Sequence, residues 1–155
     1  MNGKQAAALL RMERHFLQNI IKDFREEHAD FQPAEGMMTV AQQISHIAVT
    51  VAWFREAAFG TGFDTDWAKM RVEYMHPRTL AEAVALLDET YNNYATLLET
   101  LSEADLAVML PPNPIVGEVP RFTLIHTQAD HTAHHRGELV VYLRLLGITP
   151  TMAYT

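Results

Sequence analysis

Histidines are concentrated towards the end of the chain, where four of the eight fall within ten residues, at positions 126, 131, 134 and 135. An α-helix turns by about 100° per residue, so His131 and His135 lie about 40° apart and one turn, about 6 Å, along the axis. Two imidazoles at that spacing can bind one metal ion, as they do in zinc-binding helices. His134 and His126 lie about 60° and about 140° from His131, which makes them poorer candidates. The spacing therefore predicts that His131 and His135 act as a pair.

The helical face that carries this pair is otherwise apolar. The residues within about 80° of His131 on the helical wheel are Leu124, Leu139, Tyr142 and Leu146. Burying two imidazoles on such a face costs free energy unless each nitrogen finds a partner, and a metal ion is one efficient partner. Glu138 lies about 20° from His131 and one turn beyond His135. Its carboxylate has three candidate roles: it could accept a hydrogen bond from the N–H of a ligating histidine, bind the ion, or act as a base.

A third ligand has to come from another helix, and His46 is the best candidate. The residues that share its helical face are Thr50, Trp53 and Ala57. Three neutral imidazoles with an open position are typical of a catalytic zinc or nickel site rather than of a closed structural one. We therefore predict one divalent ion, zinc or nickel, on His46, His131 and His135.

Other interpretations of these residues stay open. Trp53 and Tyr142 are candidate walls of a substrate pocket, although their helical spacing also suits residues of the core. His46 taken alone suits a hydrogen-bonded core residue, and a single H-x-x-x-H in a histidine-rich chain is a weak motif. A di-iron bundle would need Glu-x-x-His on two helices, and the one match, from Glu73 to His76, precedes a proline.

Composition excludes several classes of function. The chain has no cysteine, which rules out disulfides, zinc fingers and a thiol nucleophile, and which fits a reducing cytoplasm. The net charge is −7 and the twelve Lys and Arg residues are scattered, so nucleic-acid binding is not expected. No run of eighteen apolar residues is present, and H-E-x-x-H and phosphate-binding glycine loops are absent. We expect a cytoplasmic protein that does not span a membrane.

Four segments have the pattern of amphipathic helices, over residues 4–28, 39–60, 79–101 and 123–146. The second and third begin at capping boxes, at Thr39 and Thr79, and the fourth is followed by a C-capping Gly147. Apolar residues of the third recur every 3.5 residues on average, as in helices packed at a shallow angle. Residues 61–78 are predicted to form a crossing loop, and prolines between 111 and 120 forbid a helix there. The pattern predicts an all-α four-helix bundle and one domain, residues 1–155.

The chain resembles the DinB-like family, which includes the bacillithiol and mycothiol transferases. The likeness rests on SHIAVTVAWF around His46 and on HTAHHRGELVVYLRLLG from His131 to Gly147. The second stretch is similar to the family's H-x-x-x-H-R-G-Q signature, with Glu138 where the family usually has glutamine. The resemblance implies a four-helix bundle of unusual helix order, a three-histidine metal site on His46, His131 and His135, and frequent homodimers.

Two functions from different classes fit these features. The first is a metal-dependent transferase or hydrolase that activates a low-molecular-weight thiol or water at the open position of the ion. Since the chain lacks cysteine, any reactive sulfur would belong to the substrate. The alternative is a non-catalytic metal-binding homodimer, in which the ion is structural and only ties the second helix to the fourth.

Overall fold

Four long helices form the body of the molecule. The computed structural model describes all 155 residues, and its helices are α1 (Gly3–Ile21), α2 (Val40–Phe59), α3 (Trp67–Met75), α4 (Leu80–Glu99), α5 (Glu103–Ala107) and α6 (Arg121–Leu145). A 3₁₀ turn, Glu26–His28, follows α1. The predicted all-α bundle is confirmed, since α1, α2, α4 and α6 surround one apolar core and the chain forms no strand.

The helix order around the bundle is unusual. Both α1 and α2 pack along α4 and along α6. The two helices that come first in the chain therefore occupy opposite corners, and each is separated from the other by α4 on one side and α6 on the other. This arrangement places α2 directly against α6. These two helices carry the candidate histidines.

The predicted capping residues are where the helices begin and end. The Thr39 hydroxyl accepts from the backbone N–H of Gln42 at 3.2 Å, and the Gln42 side chain accepts from the Thr39 N–H at 2.9 Å. Thr79 caps α4 in the same way. At the end of α6, Gly147 has a φ of +76°, and the Ile148 N–H returns to the Leu143 carbonyl at 2.9 Å. This is the left-handed glycine cap that stops a helix.

The prediction that the first helix continues to residue 28 is wrong, because two side chains near its end bond elsewhere. The Nδ1 of His28 accepts from the Arg25 N–H at 3.0 Å, which supports the separate 3₁₀ turn. The Glu26 carboxylate accepts from the Leu80 N–H at 2.8 Å, at the beginning of α4. A negative charge at a helix N-terminus is favourable, whereas the same charge at the end of α1 would be unfavourable.

Residues 61–78 are not the plain loop that was predicted, since they contain α3. Asp66 caps this helix by accepting from the Lys69 N–H at 3.0 Å. No residue of α3 is fully buried, and the helix packs mainly against α2. A nine-residue helix with so little burial gives only a short apolar pattern, which the nearby glycines and Pro77 outweigh in the sequence. The short helix α5, which Ser102 caps, was not predicted either.

No helix combines the length and the apolar character needed to cross a membrane.

Candidate metal centre

Three histidines from two helices meet where α2 packs on α6. The ring centroid of His46 lies 5.2 Å from that of His131 and 4.5 Å from that of His135, and the two α6 rings are 4.5 Å apart. One ring nitrogen from each residue lies within 4.8 Å of the others. The structure thus brings together the three residues predicted as ligands, and the group is spaced so that it could hold one metal ion.

Hydrogen bonds fix which nitrogens of the α6 pair face the centre of the cluster. The Nδ1 of His135 donates to the Glu138 carboxylate at 2.6 Å, since a carboxylate can only accept. The Nδ1 of His131 lies 3.3 Å from the Thr50 hydroxyl, whose own proton goes to the His46 carbonyl oxygen at 2.8 Å. That hydroxyl therefore accepts from His131. In the neutral rings both Nε2 atoms are left with lone pairs, and these atoms lie 3.2 Å apart.

Two facing lone pairs at this distance repel each other unless a cation lies beside them. Two imidazoles bound to one zinc ion at about 2.0–2.1 Å would have nitrogens about 2.9–3.4 Å apart for angles between about 90° and 109°. The observed Nε2 separation of 3.2 Å falls in that range. In addition, the buried Nδ1 of His46 has no hydrogen-bond partner in the protein. These two observations fit a metal ion better than a hydrogen-bonded core.

Protons are poor competitors for the cluster because the protein disfavours the charged rings. Burial lowers the pKa of His46 to about 3, with the neighbouring His135 and His131 adding to the effect. Burial likewise lowers the pKa of His131 to about 4. The pKa of His135 is also lowered by burial, although Glu138 opposes the shift. All three rings are neutral at pH 7, which is the protonation state that binds a metal.

Glu138 supports the cluster from behind. Its Oε2 accepts from His135 and also from the side-chain amide of Gln43 on α2, each at 2.6 Å. This carboxylate therefore ties α6 to α2 and sets the orientation of the His135 ring, as outer partners of metal-binding histidines do. Its Oε1 lies 3.4 Å from the Nε2 of His134, whose side chain is exposed, outside the three-histidine cluster.

A cavity of about 310 Å³ opens directly beside two of the three histidines, His46 and His131. The remaining walls come from α2, with Thr50, Trp53 and Phe54, and from α3, with Trp67, Met70 and Tyr74. The structure thus places Trp53 next to the cluster. Tyr142 does not line this cavity: its hydroxyl donates to the Met38 carbonyl at 2.9 Å, and its ring borders a separate cavity of about 250 Å³ that Glu138 also lines.

The three α3 residues of the cavity wall were missed in the sequence. Trp67, Met70 and Tyr74 follow one another at spacings of three and four, so they share a helical face. That spacing was the available signal. The flanking glycines and Pro77 favour a loop in the same segment, and they outweigh this spacing.

Comparison with known proteins finds one matching family model and relatives whose names refer to a metal-dependent activity. A family model described as the DinB superfamily matches residues 9–139. A protein of Geobacillus kaustophilus that bears the name "Putative metal-dependent hydrolase" is 27% identical over 133 residues, which cover 79% of this chain and 74% of that protein.

Two solved structures from Bacillus subtilis share the fold. The DinB-like protein YjoA superposes with a TM-score of 0.73 at 19% identity, over 97% of each chain. YfiT, described as "a probable metal-dependent hydrolase with an unusual four-helix bundle topology", superposes with a TM-score of 0.68 at 16% identity, over 95% of this chain and 89% of YfiT. The order of helices around the present bundle agrees with that description.

Proposed function

The chain belongs to the DinB superfamily, and from that membership we propose that it is a metal-dependent hydrolase of small esters or amides, with one divalent ion held by His46, His131 and His135. The observation that carries the proposal is the cavity that opens on His46 and His131. An ion bound there would keep one side accessible to a small molecule, as catalytic sites do and closed structural sites do not. The name of the Geobacillus relative supports the same reaction class.

The ion's contribution and the residues' contributions are separate. When bound, a divalent ion supplies Lewis-acid chemistry, polarising a carbonyl and lowering the pKa of water or of a thiol. Glu138 holds the Nδ1 proton of His135, and Thr50 holds that of His131, so both Nε2 atoms stay free for the ion. The side chains of α3 form the outer wall of the cavity beside the histidines. Hydrolysis joins the water oxygen to the acyl carbon, breaks its C–O or C–N bond, and delivers a proton to the leaving atom.

The sequence also predicted the identity of the ion, a thiol substrate and a homodimer, and these predictions form part of the proposal. Imidazole ligands suit zinc and nickel, which makes these the first ions to test. A low-molecular-weight thiol would use the same open side of the ion as water, so thiol transfer is the second reaction to assay. The homodimer implied by the family resemblance stays a prediction, and so does the rival view of a structural ion within such a dimer. The two roles differ in the ligand at the open position of the ion. A catalytic ion exchanges a water or substrate there, whereas a structural ion does not.

The experiment is metal analysis of the purified protein beside two matched variants. His131→Ala removes a candidate ligand, whereas His134→Ala removes an exposed imidazole one turn away on the same helix. We expect about one ion per chain in the wild type and in His134→Ala, and a loss of at least about tenfold in affinity in His131→Ala. Equal metal content in both variants would contradict the proposed ligands.

Activity is then measured with chromogenic esters and anilides, with and without added thiols. We expect turnover that a chelator abolishes and that zinc or nickel restores, in the wild type and in His134→Ala but not in His131→Ala. A metal-loaded wild type that turns over no substrate, with or without thiols, would favour the structural ion.

A further inference from the structure

The cavity beside the histidines has an unusual lining for a site next to a metal centre, because it contains no Lys, Arg, Asp or Glu. Four of its walls are aromatic rings outside the histidine cluster, namely Trp53, Phe54, Trp67 and Tyr74. The ring centroids of Trp53 and Phe54 lie 5.0 Å apart, and those of Trp53 and Trp67 lie 5.6 Å apart. The cavity is thus a cleft between rings rather than a polar groove.

Helix α3 supplies the outer wall and keeps its charges elsewhere. The Tyr74 ring packs edge-on against His46, with 4.6 Å between ring centroids, and Trp67 lies half-exposed at the rim. The three charged residues of α3 lie outside this lining: Lys69 pairs with Asp64 at 3.0 Å, Glu73 pairs with Arg78 at 2.5 Å, and Arg71 lines a separate cavity. Only apolar and aromatic side chains of α3 therefore reach the space beside the histidines.

In the metal-free protein, a charged group placed in this cleft would lose its water without gaining an ionic partner, which is costly. A neutral ring would instead gain edge-to-face and offset contacts with the aromatic walls. The volume of about 310 Å³ lies near the lower limit of small-molecule sites, which span roughly 300–1,000 Å³. This volume suits one ring with a short chain.

We propose that this cavity binds a neutral aromatic group of the substrate, so that the substrate class is small aryl or arylalkyl esters or amides, and that Trp67, Met70 and Tyr74 of α3 determine this specificity. The assignment to a substrate rests on the proposed hydrolase function. The preference for a neutral ring rests on the walls of the cavity alone, and it is therefore testable without any metal.

The chain's only two tryptophans, Trp53 and Trp67, both line the cavity, so tryptophan fluorescence reports its occupancy. Metal-free protein is titrated with three probes that carry the same ring: benzyl alcohol, benzoate and benzylamine. Removing the metal prevents benzoate from binding an ion directly. We expect saturable binding of neutral benzyl alcohol, and affinities at least about tenfold weaker for the anion and for the protonated amine.

Two variants of α3 place the same carboxylate inside and outside the lining of this cavity. Met70→Glu points it into the cavity, whereas Val72→Glu places it at a position that is 73% exposed and outside the cavity lining. Met70→Glu should weaken benzyl alcohol binding by about tenfold and make benzylamine the preferred probe, while Val72→Glu should behave as the wild type. Far-UV circular dichroism checks that both variants fold, and the comparison of probes on the wild type does not depend on either.

The proposal is overturned if the wild type binds a charged probe as tightly as benzyl alcohol, if no probe binds, or if the two folded variants behave alike. None of these results affects the metal analysis of His131→Ala, which tests the hydrolase proposal separately.

Discussion

At the scale of single residues, the orientation of His135 depends on Glu138. The carboxylate accepts the Nδ1 proton at 2.6 Å and is itself held by Gln43 at the same distance. A charged acceptor makes a stronger bond to this N–H than a neutral one, and it makes Nε2 a better ligand. The family resemblance implies glutamine as the usual residue here, so Glu138 offers a charged acceptor at a position where an amide is expected.

We predict that Glu138→Gln lowers metal affinity by about tenfold and Glu138→Ala by up to about a hundredfold. The amide oxygen of glutamine can still accept from His135, whereas alanine leaves the Nδ1 proton without its partner. Competition with a chromophoric chelator measures both values. Glu89→Gln, which removes the same charge from an exposed site on α4, is the control and should leave the affinity unchanged. An affinity of Glu138→Ala equal to that of the control would contradict this role.

At the scale of elements, α3 is the least supported part of the candidate site. It packs mainly against α2 and has no fully buried residue, whereas α4 packs against both α1 and α2. Segments with few buried apolar contacts open at a lower free-energy cost than the core of a protein. The element that forms the outer wall of the cavity therefore opens more readily than the long helices of the bundle, which gives a small molecule a way in.

Hydrogen exchange measured by mass spectrometry tests this difference in stability. We predict that amides of Trp67–Met75 exchange at least about a hundredfold faster than those in the middle of α4, and that they slow when benzyl alcohol fills the cavity. The middle of α4 should show no change with the probe, which makes it the internal control. Equal protection of α3 and α4 would mean that α3 is a fixed wall.

The elements also show which parts of the molecule a sequence pattern reveals. The helices α2, α4 and α6 each have a capping residue that the sequence shows, so Thr39, Thr79 and Gly147 predicted where they begin or end. The spacing of His131 and His135 on an inward face likewise predicted their meeting. Helix α3 was not predicted because it buries no residue fully. The cavity wall that α3 forms was therefore not predicted either. The end of α1 was misplaced because Glu26 bonds to α4, a long-range contact that no local pattern contains.

At the scale of the whole molecule, a buried polar cluster joins α1, α4 and α6 inside the bundle. Glu13 Oε1 accepts from the Tyr91 hydroxyl at 2.5 Å and from the Gln128 amide at 2.7 Å, and Thr132 lies 3.2 Å from the Tyr91 oxygen. Polar groups buried together in this way favour one arrangement of helices over others, because a shifted register would leave them unpaired. Thr132 follows His131 directly, so the cluster also helps to set the position of the metal centre along α6.

The burial of Glu13 makes the stability of the whole bundle depend on pH. Burial raises the pKa of this carboxyl, and the hydrogen bonds from Tyr91, Thr132 and Gln128, together with the charge of Arg136, offset the shift only in part. In the unfolded chain the carboxyl loses its proton near the ordinary value of 4.5, before the folded state does. As the pH rises above 4.5, this residue therefore favours the unfolded state, and its contribution to stability falls until the folded carboxyl also ionises.

We predict that Glu13→Gln removes this dependence, because the amide oxygen keeps both accepted hydrogen bonds and does not titrate. The free energy of unfolding of the variant, relative to the wild type, should be higher at pH 7 than at pH 4.5 when urea denaturation is measured on metal-free protein. Glu118→Gln, at an exposed position, should show the same difference from the wild type at both values. A Glu13→Gln variant whose stability relative to the wild type is equal at pH 4.5 and pH 7 would mean that the buried carboxyl ionises as readily in the bundle as in the unfolded chain.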